Sequence, residues 1–135
     1  MYKVSLAIPI YNVSLFVERA LLSVLNQTYD NIEYLIVDDK GQDDSMDIVH
    51  RIIKDHPRGK DVRIIEHPYN IGLGATRNTA IDNAQGEYLF FMDSDDEIIP
   101  TCIEILVHKM QEHPVDFIAA SHMKKDLSGK TYPTY

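Results

Sequence analysis

The sequence predicts an α/β fold, in which a mostly parallel sheet is covered by helices on both faces. Short apolar runs alternate four times with stretches whose apolar residues recur at helical spacing. Strands and helices that alternate in this way form parallel sheets through right-handed crossovers. Apolar residues make up 44% of the 135 residues, which is enough for one domain with a real core. We therefore expect a Rossmann-like domain of three layers, αβα.

Five apolar runs are predicted to be strands, because each is short and bounded by polar residues, glycine or proline. They are residues 4–9, 32–37, 62–66, 88–92 and 115–120. Helical spacing begins after the first four strands, at Val17, Ile48, Ala75 and Cys102. Ser14 is placed to cap the first helix. The run at 88–92 is apolar enough to be a central strand that is buried on both faces.

Charge and composition exclude several classes of protein. The formal net charge of −8 argues against nucleic-acid binding, and it means that a phosphate ligand needs a bridging cation. The single cysteine, Cys102, allows no internal disulfide, which favours a reducing cytosol. No apolar run approaches the roughly 20 residues of a membrane span. Pro9 interrupts the first apolar run, so a signal peptide is not indicated.

An acidic cluster directly follows the fourth predicted strand. Asp93, Asp95 and Asp96 lie within four positions, and clustered carboxylates suit Mg²⁺ or Mn²⁺. A calcium-binding EF-hand loop is excluded, because Ile98 stands where that loop needs glycine. The histidines show no metal-ligand spacing and are interpreted as structural or surface residues: His50, His56, His67, His108, His113 and His122. The cluster therefore predicts a site for a divalent cation.

Three predicted strands end in candidate ligand groups, which are the segment 9–12, the Asp38-Asp39 pair and the acidic cluster. Parallel strands bring such groups to one edge of the sheet, where open α/β folds bind ligands. The alternative is that these side chains only cap helices. Two acidic groups on adjacent strands make that alternative less favourable, because crowded like charges destabilise a fold. Arg77, in the first turns of the third helix, faces a diphosphate at this edge or forms a surface ion pair.

These motifs together resemble the N-terminal half of family-two glycosyltransferases of the GT-A fold. The matching segments occur in the family's order and cover about residues 3–100 of this chain. They are VSLAIPIYN at 4–12, SVLNQTY at 23–29, IVDD at 36–39, NIGLGATRN at 70–78, GEY at 86–88 and DSDD at 93–96.

The resemblance implies a nucleotide-sugar donor, most often a UDP-sugar, that binds with Mn²⁺ or Mg²⁺. Asp39, beside Asp38, would contact the uracil edge, and Arg77 would lie near the uridine or the diphosphate. Asp93 would approach the ribose and the metal, and Asp95 would ligate the metal. In full, the resemblance assigns the nucleotide pocket to Pro9, Tyr11, Asn12, Asp38, Asp39, Arg77, Asp93 and Ser94, and the metal to Asp95 and Asp93.

The resemblance also implies an inverting transfer of sugar to an acceptor hydroxyl, on a glycan or a lipid-linked acceptor. Such transfers serve polysaccharide or cell-wall biosynthesis in the cytoplasm or at the inner face of the membrane. The family's catalytic base lies further along than Tyr135, so we expect no catalytic residue within residues 1–135. The chain is then a truncated, donor-binding part of a longer enzyme. A face left uncovered by the missing half would favour self-association.

The sequence departs from the family pattern in one motif and leaves other functions open. The family usually has glycine directly after the Asp-Asp pair, whereas this chain has Lys40 and then Gly41. A non-catalytic module that binds nucleotide and metal is an alternative to the enzyme. A nucleotidyltransferase would need a basic, glycine-rich loop after the first strand, and residues 10–13 supply neither feature. A dehalogenase-type phosphatase would carry its Asp-x-Asp motif on the first strand.

Overall fold

A computed structural model of the chain describes residues 2–114 and the backbone of residues 122–125 and 131–134. The chain divides into two compact units, Met1–Glu104 and Ile105–Tyr135. The predicted strand at 115–120 lies outside the described residues. In the second unit, β5 (His122–Lys125) and β6 (Thr131–Thr134) pair antiparallel.

The first unit contains a parallel sheet, as the sequence predicts. Its strands are β1 (Val4–Ile10), β2 (Ile32–Asp38), β3 (Val62–Glu66) and β4 (Tyr88–Phe91). They lie side by side in the order β3-β2-β1-β4, and every neighbouring pair is parallel. Ile10 lies opposite Asp38, which lies opposite Glu66, so three strands end at one edge.

Helices separate the strands at the predicted places. They are α1 (Val17–Leu25), α2 (Ser45–Asp55), α3 (Leu73–Asn83) and α4 (Cys102–Glu112). A short 3₁₀ turn, Pro57–Asp61, leads from α2 into β3. The alternation of strand and helix confirms the predicted α/β class.

Strands β1 and β2 form the centre of the core, with almost every side chain buried on both faces. Ala7 of β1 packs with Leu35 and Val37 of β2 against Ala80 of α3. The small Ala80 side chain lets α3 pack directly on the sheet.

Strand β4 differs from its prediction. It lies at the edge of the four described strands, beside β1, and not at the centre of the sheet. Its first three residues are half-buried and Phe91 is exposed, so the expected burial on both faces is wrong. An apolar run indicates that a strand tends to be buried, but it does not specify which strands it pairs with. The two acidic groups are also not on adjacent strands, because β1 lies between β2 and β4.

The helix starts differ in detail from their predictions. Helix α2 begins at Ser45, three residues before the expected Ile48. Ser14 does not cap α1; the residue before the helix is Phe16, and no side chain caps it. The amide of Ser14 instead donates to Asp43 Oδ2 at 3.0 Å, which ties this loop to the start of α2. Helix α3 begins at Leu73, two residues before the expected start, and Gly72 before it has a φ of 98°, which glycine adopts readily.

Candidate functional site

A cleft at the carboxyl edge of the sheet brings together residues from three predicted segments. It is lined by Pro9 of β1, Arg77 of α3 and Asp93, which follows β4. Thr76 and Met92 complete its walls, with other apolar side chains of the sheet. The parallel arrangement explains this convergence, because the ends of β1 and β4 meet at the start of α3. The cleft is the place where the sequence predicts a nucleotide ligand.

The acidic cluster of Asp93, Asp95 and Asp96 borders this cleft. One carboxylate oxygen from each residue lies within 4.8 Å of the other two, and all three side chains are exposed. A backbone turn closes the cluster, since the amide of Asp96 donates to the carbonyl of Asp93 at 3.0 Å. Ser94, between the carboxylates, is buried. Three exposed carboxylate oxygens at this spacing fit a hard divalent cation such as Mg²⁺ or Mn²⁺.

A second hollow lies beside the ends of β1 and β2. Asn12, Asp38 and Gly41 line it, among other residues of the two loops. Asn12 has a φ of 51°, and its Oδ1 accepts a hydrogen bond from the amide of Gln42 at 2.7 Å. A Cβ at Gly41 would stand 2.6 Å from that Oδ1 atom, so only glycine fits there. Tyr11 is partly exposed in the same loop but lines neither hollow.

Asp39 directly follows β2 and is buried, with 2% exposure. Its Oδ1 accepts from His67 Nδ1 at 2.9 Å and from the amide of Ile71 at 2.9 Å. Its Oδ2 accepts from Asn70 Nδ2 at 2.8 Å and from the amide of Gly72 at 3.0 Å. Burial alone would raise the pKa of this carboxyl, but the bonds from His67 and the two amides outweigh it and lower the pKa.

His67 is a residue that the sequence interpretation missed. It is 5% exposed, and its Nε2 lies 2.7 Å from Thr79 Oγ1 of α3. The imidazole therefore links Asp39 at the end of β2 to the middle of α3. Histidine spacing gave no sign of this role. The useful signal is position, because His67 directly follows β3 and so lies at the same sheet edge as the other strand-end residues.

The sequence model of the family described as "Glycosyl transferase family 2" matches residues 5–135. The chain belongs to this glycosyltransferase family. A relative in Escherichia coli is 37% identical over 130 residues and is named UDP-Glc:alpha-D-GlcNAc-diphosphoundecaprenol beta-1,3-glucosyltransferase WfaP. The match covers 94% of this chain and 49% of that protein. The chain thus spans about half the length of such curated relatives, or less.

Solved structures of glycosyltransferases have the same fold. S. aureus TarS 1–349 in complex with UDP-GlcNAc superposes with a TM-score of 0.77 at 27% identity, over 98% of this chain and 37% of TarS. The mannosyltransferase PcManGT from Pyrobaculum calidifontis, in complex with GDP-Man and Mn²⁺, gives a TM-score of 0.67 at 26% identity. That match covers 71% of this chain and 28% of PcManGT. These likenesses confirm the expected GT-A type of fold.

Within this glycosyltransferase family pattern, Lys40 stands where glycine is usual. Its backbone has a φ of 56°, the left-handed conformation that glycine adopts readily and that costs other residues roughly 1–2 kcal/mol. The lysine ammonium lies 3.0 Å from Glu66 Oε2 and 3.9 Å from Asp38 Oδ2. The bond to Glu66 raises the pKa of this amine. Lys40 therefore adds an ion-paired cation to the lining of the second hollow.

The described helices also bear on membrane insertion. In the part of the chain that the structure describes, no helix has both the length and the apolar character needed to cross a bilayer.

Proposed function

We propose that the chain is the donor-binding part of an inverting, metal-dependent glycosyltransferase that uses a UDP-sugar. The observation that carries this proposal is the acidic cluster of Asp93, Asp95 and Asp96, with its carboxylate oxygens within 4.8 Å of one another. Asp93 also lines the cleft that contains Arg77. A nucleoside diphosphate carries several negative charges. A bound metal ion at the acidic cluster and the positive guanidinium of Arg77 would together balance them.

The net charge of −8 makes a bridging cation necessary, because the protein would otherwise repel a diphosphate. Asp95 and Asp93 would hold Mg²⁺ or Mn²⁺. The metal would neutralise the negative charge that develops on the departing diphosphate. Arg77 would bind the same diphosphate through its guanidinium. The UDP-GlcNAc bound to TarS and the Mn²⁺ bound to PcManGT support this assignment of ligands.

The nucleotide itself would extend from the cleft toward the second hollow. Pro9 lines the cleft, Asn12 and Asp38 line the second hollow, and Tyr11 lies beside Asn12 in the loop after β1. Ser94 lies within the acidic cluster. We propose that Asp39 does not contact the nucleotide directly. Each of its two carboxylate oxygens already accepts two hydrogen bonds from the protein. Its contribution to the uracil site is then to order the loop at residues 70–72.

The acceptor would be a glycan or a lipid-linked sugar whose hydroxyl attacks the anomeric carbon opposite the diphosphate, with inversion. The name of the E. coli relative, which includes a diphosphoundecaprenol acceptor, supports this class. A carboxylate base in the whole protein would take the hydroxyl proton. An enzyme that transfers sugar to a lipid-linked acceptor would act in the cytoplasm, at the inner face of the membrane.

Calorimetric titration with UDP, in the presence and absence of Mn²⁺, tests the proposal. We expect Mn²⁺ to strengthen UDP binding, and we expect Asp95→Ala to abolish that gain because one of the three carboxylates is lost. UDP affinity that is the same with and without Mn²⁺ would contradict the metal role.

The matched control is Asp61→Ala. Asp61 is exposed and directly precedes β3, so it lies at the opposite edge of the sheet. This variant removes one negative charge from the surface without touching the cluster. UDP affinity and its gain from Mn²⁺ should remain as in the unmodified chain. If Asp61→Ala and Asp95→Ala behave alike, the effect belongs to net charge and not to a metal site.

A further inference from the structure

Helix α3, which carries Arg77, buries little apolar surface. Its buried residues are Thr76 and Ala80, one polar and one very small. Its larger apolar side chains, Leu73 and Ile81, are 47% and 56% exposed. Hydrophobic burial fixes a helix in rough proportion to the apolar area removed from water. The placement of α3 on the sheet therefore depends on other contacts, which are directional hydrogen bonds.

One such contact lies on the flank of α3. His67 Nε2 lies 2.7 Å from Thr79 Oγ1, and the same imidazole donates from Nδ1 to Asp39. Thr79 and Arg77 are two positions apart, so they point about 200° apart around the helix axis. Thr79 therefore faces β3, where His67 lies, while Arg77 lines the cleft on the other side, with Asp93. A bond that fixes Thr79 fixes the rotation of the helix and hence the place of Arg77.

A second set of contacts lies at the start of α3. The Asp39 carboxylate accepts hydrogen bonds from the amides of Ile71 and Gly72, and Gly72 is the residue that precedes the helix. A carboxylate at this position also interacts favourably with the helix dipole. Because His67 donates to the same carboxylate, the start of the helix and its flank are held by one connected network.

We propose that His67, together with Asp39, is a positioning residue that sets α3 and thereby places Arg77 at the cleft. As a statement about donor binding, this inference rests on the proposed function. His67 does not act on the donor itself. Both of its ring nitrogens are engaged within the protein and its side chain is buried, so neither nitrogen is open to a metal or a proton from substrate.

The test uses a matched pair of variants at Thr79. Thr79→Val keeps the shape and the β-branch but removes the hydroxyl, whereas Thr79→Ser keeps the hydroxyl. We expect Thr79→Val to weaken Mn²⁺-dependent UDP binding by roughly two- to ten-fold, the range of one net hydrogen bond. Thr79→Ser keeps both bonds of the hydroxyl, to His67 at 2.7 Å and to the Ala75 carbonyl at 3.0 Å, and should bind UDP as the unmodified chain does. His67→Asn, which is too short to reach Thr79, should weaken binding as Thr79→Val does.

A double-mutant cycle with Arg77→Ala separates positioning from general loss of stability. If His67 and Thr79 act through Arg77, Thr79→Val should have no further effect on UDP affinity in the Arg77→Ala background. An equal effect in both backgrounds would overturn the inference. So would a Thr79→Val variant that binds UDP as tightly as the unmodified chain.

A second measurement does not depend on UDP binding. The NMR signal of the Arg77 Nε–H group reports the surroundings of its guanidinium. We expect this signal to move in Thr79→Val and in His67→Asn and to stay in place in Thr79→Ser. A signal unchanged in all three variants would overturn the inference. If the unmodified chain fails to bind UDP with Mn²⁺, the proposed function fails, and the Arg77 signal still decides whether His67 positions the helix.

Discussion

Helix α1 buries five side chains, whereas α3 buries two. Those of α1 are at most 1% exposed, and four of the five are Val or Leu. Fully burying a side chain of that kind stabilises a fold by roughly 1.5–3 kcal/mol, while one net hydrogen bond contributes about 0.5–1.5 kcal/mol. Apolar burial has no preferred direction, but hydrogen bonds do. Helix α3, at the cleft, is therefore stabilised less by its buried side chains than α1 is. Its position and rotation on the sheet are set more specifically, by hydrogen bonds.

The far end of α3 repeats the arrangement at its start. Glu33 of β2 accepts a hydrogen bond from the amide of Gln85, just after the helix, at 2.6 Å. Arg63 of β3 bridges Glu33 Oε1 at 3.2 Å and the carbonyl of Asn83 at 2.5 Å. Glu33 and Asp39 lie near the two ends of β2, so one buried strand holds both ends of α3. Helix α1 instead buries five side chains in the apolar core.

The largest loss of stability is expected for Leu21→Ala in α1. Leu21 is buried, and large-to-small changes in a core lower the free energy of unfolding by roughly 2–5 kcal/mol. Urea unfolding followed by circular dichroism measures the change. Leu15→Ala is the control, because Leu15 is 86% exposed in the loop before α1 and should change stability by less than about 0.5 kcal/mol. Equal losses in the two variants would mean that burial does not hold α1.

An intermediate effect is expected for Asp39→Asn. The amide keeps the shape of the carboxylate but turns an N–H₂ group toward two donors, which are then left unsatisfied. We expect a loss of roughly 1–3 kcal/mol in the same urea experiment. The exposed Asp61→Asn change should cost less than about 0.5 kcal/mol. If Asp39→Asn is as mild as its control, the hydrogen bonds to Asp39 do not secure α3.

Much of the fold and the acidic cluster could be predicted, because their signals are local. The bounds of β3 agree with the sequence prediction, since a short apolar run stands between two polar segments. Asp93, Asp95 and Asp96 are near in sequence, so their proximity in space follows from a single turn. The cleft could be predicted as well, because the ends of parallel strands share one edge.

What the sequence did not reveal depends on contacts between distant residues. Among the strands that the structure describes, β4 lies at an edge and not at the expected central place, because strand order is set by pairing across the sheet and not by the strand's own residues. The partners of Asp39 begin 28 residues further along the chain, at His67. No periodicity or spacing rule connects the two. Lys40 could be recognised as a departure from the family pattern, but its left-handed backbone could not.

The smallest effect on stability is expected from acid below the ordinary carboxyl pKa values, and it should distinguish the two helices. Burial opposes ionisation of Glu33, but the Ser5 hydroxyl, the Gln85 amide and Arg63 outweigh it and lower its pKa, as donors do at Asp39. Folding thus lowers the pKa of both carboxyl groups from their ordinary values, which are 4.5 for Glu33 and 3.8 for Asp39. The two carboxylates therefore stabilise the fold fully above those values, and this stabilisation is lost as the pH falls below them.

NMR signals of backbone amides, followed as the pH is lowered, measure this loss. Those of α3 should change before those of α1, because protonation of Glu33 and Asp39 releases the ends of α3 while the apolar contacts of α1 remain. Simultaneous changes in both helices would contradict a separate, polar attachment of α3.

The central claim is that the acidic cluster holds a cation beside the cleft. Mn²⁺ is paramagnetic and broadens the NMR signals of nearby groups, so adding it together with UDP locates the site directly. We expect broadening of the amides of residues 93–96 and of the Arg77 side chain, and its loss in Asp95→Ala. Broadening centred instead on Asp38 and Asp43 at the second hollow, or no specific broadening at all, would contradict the account.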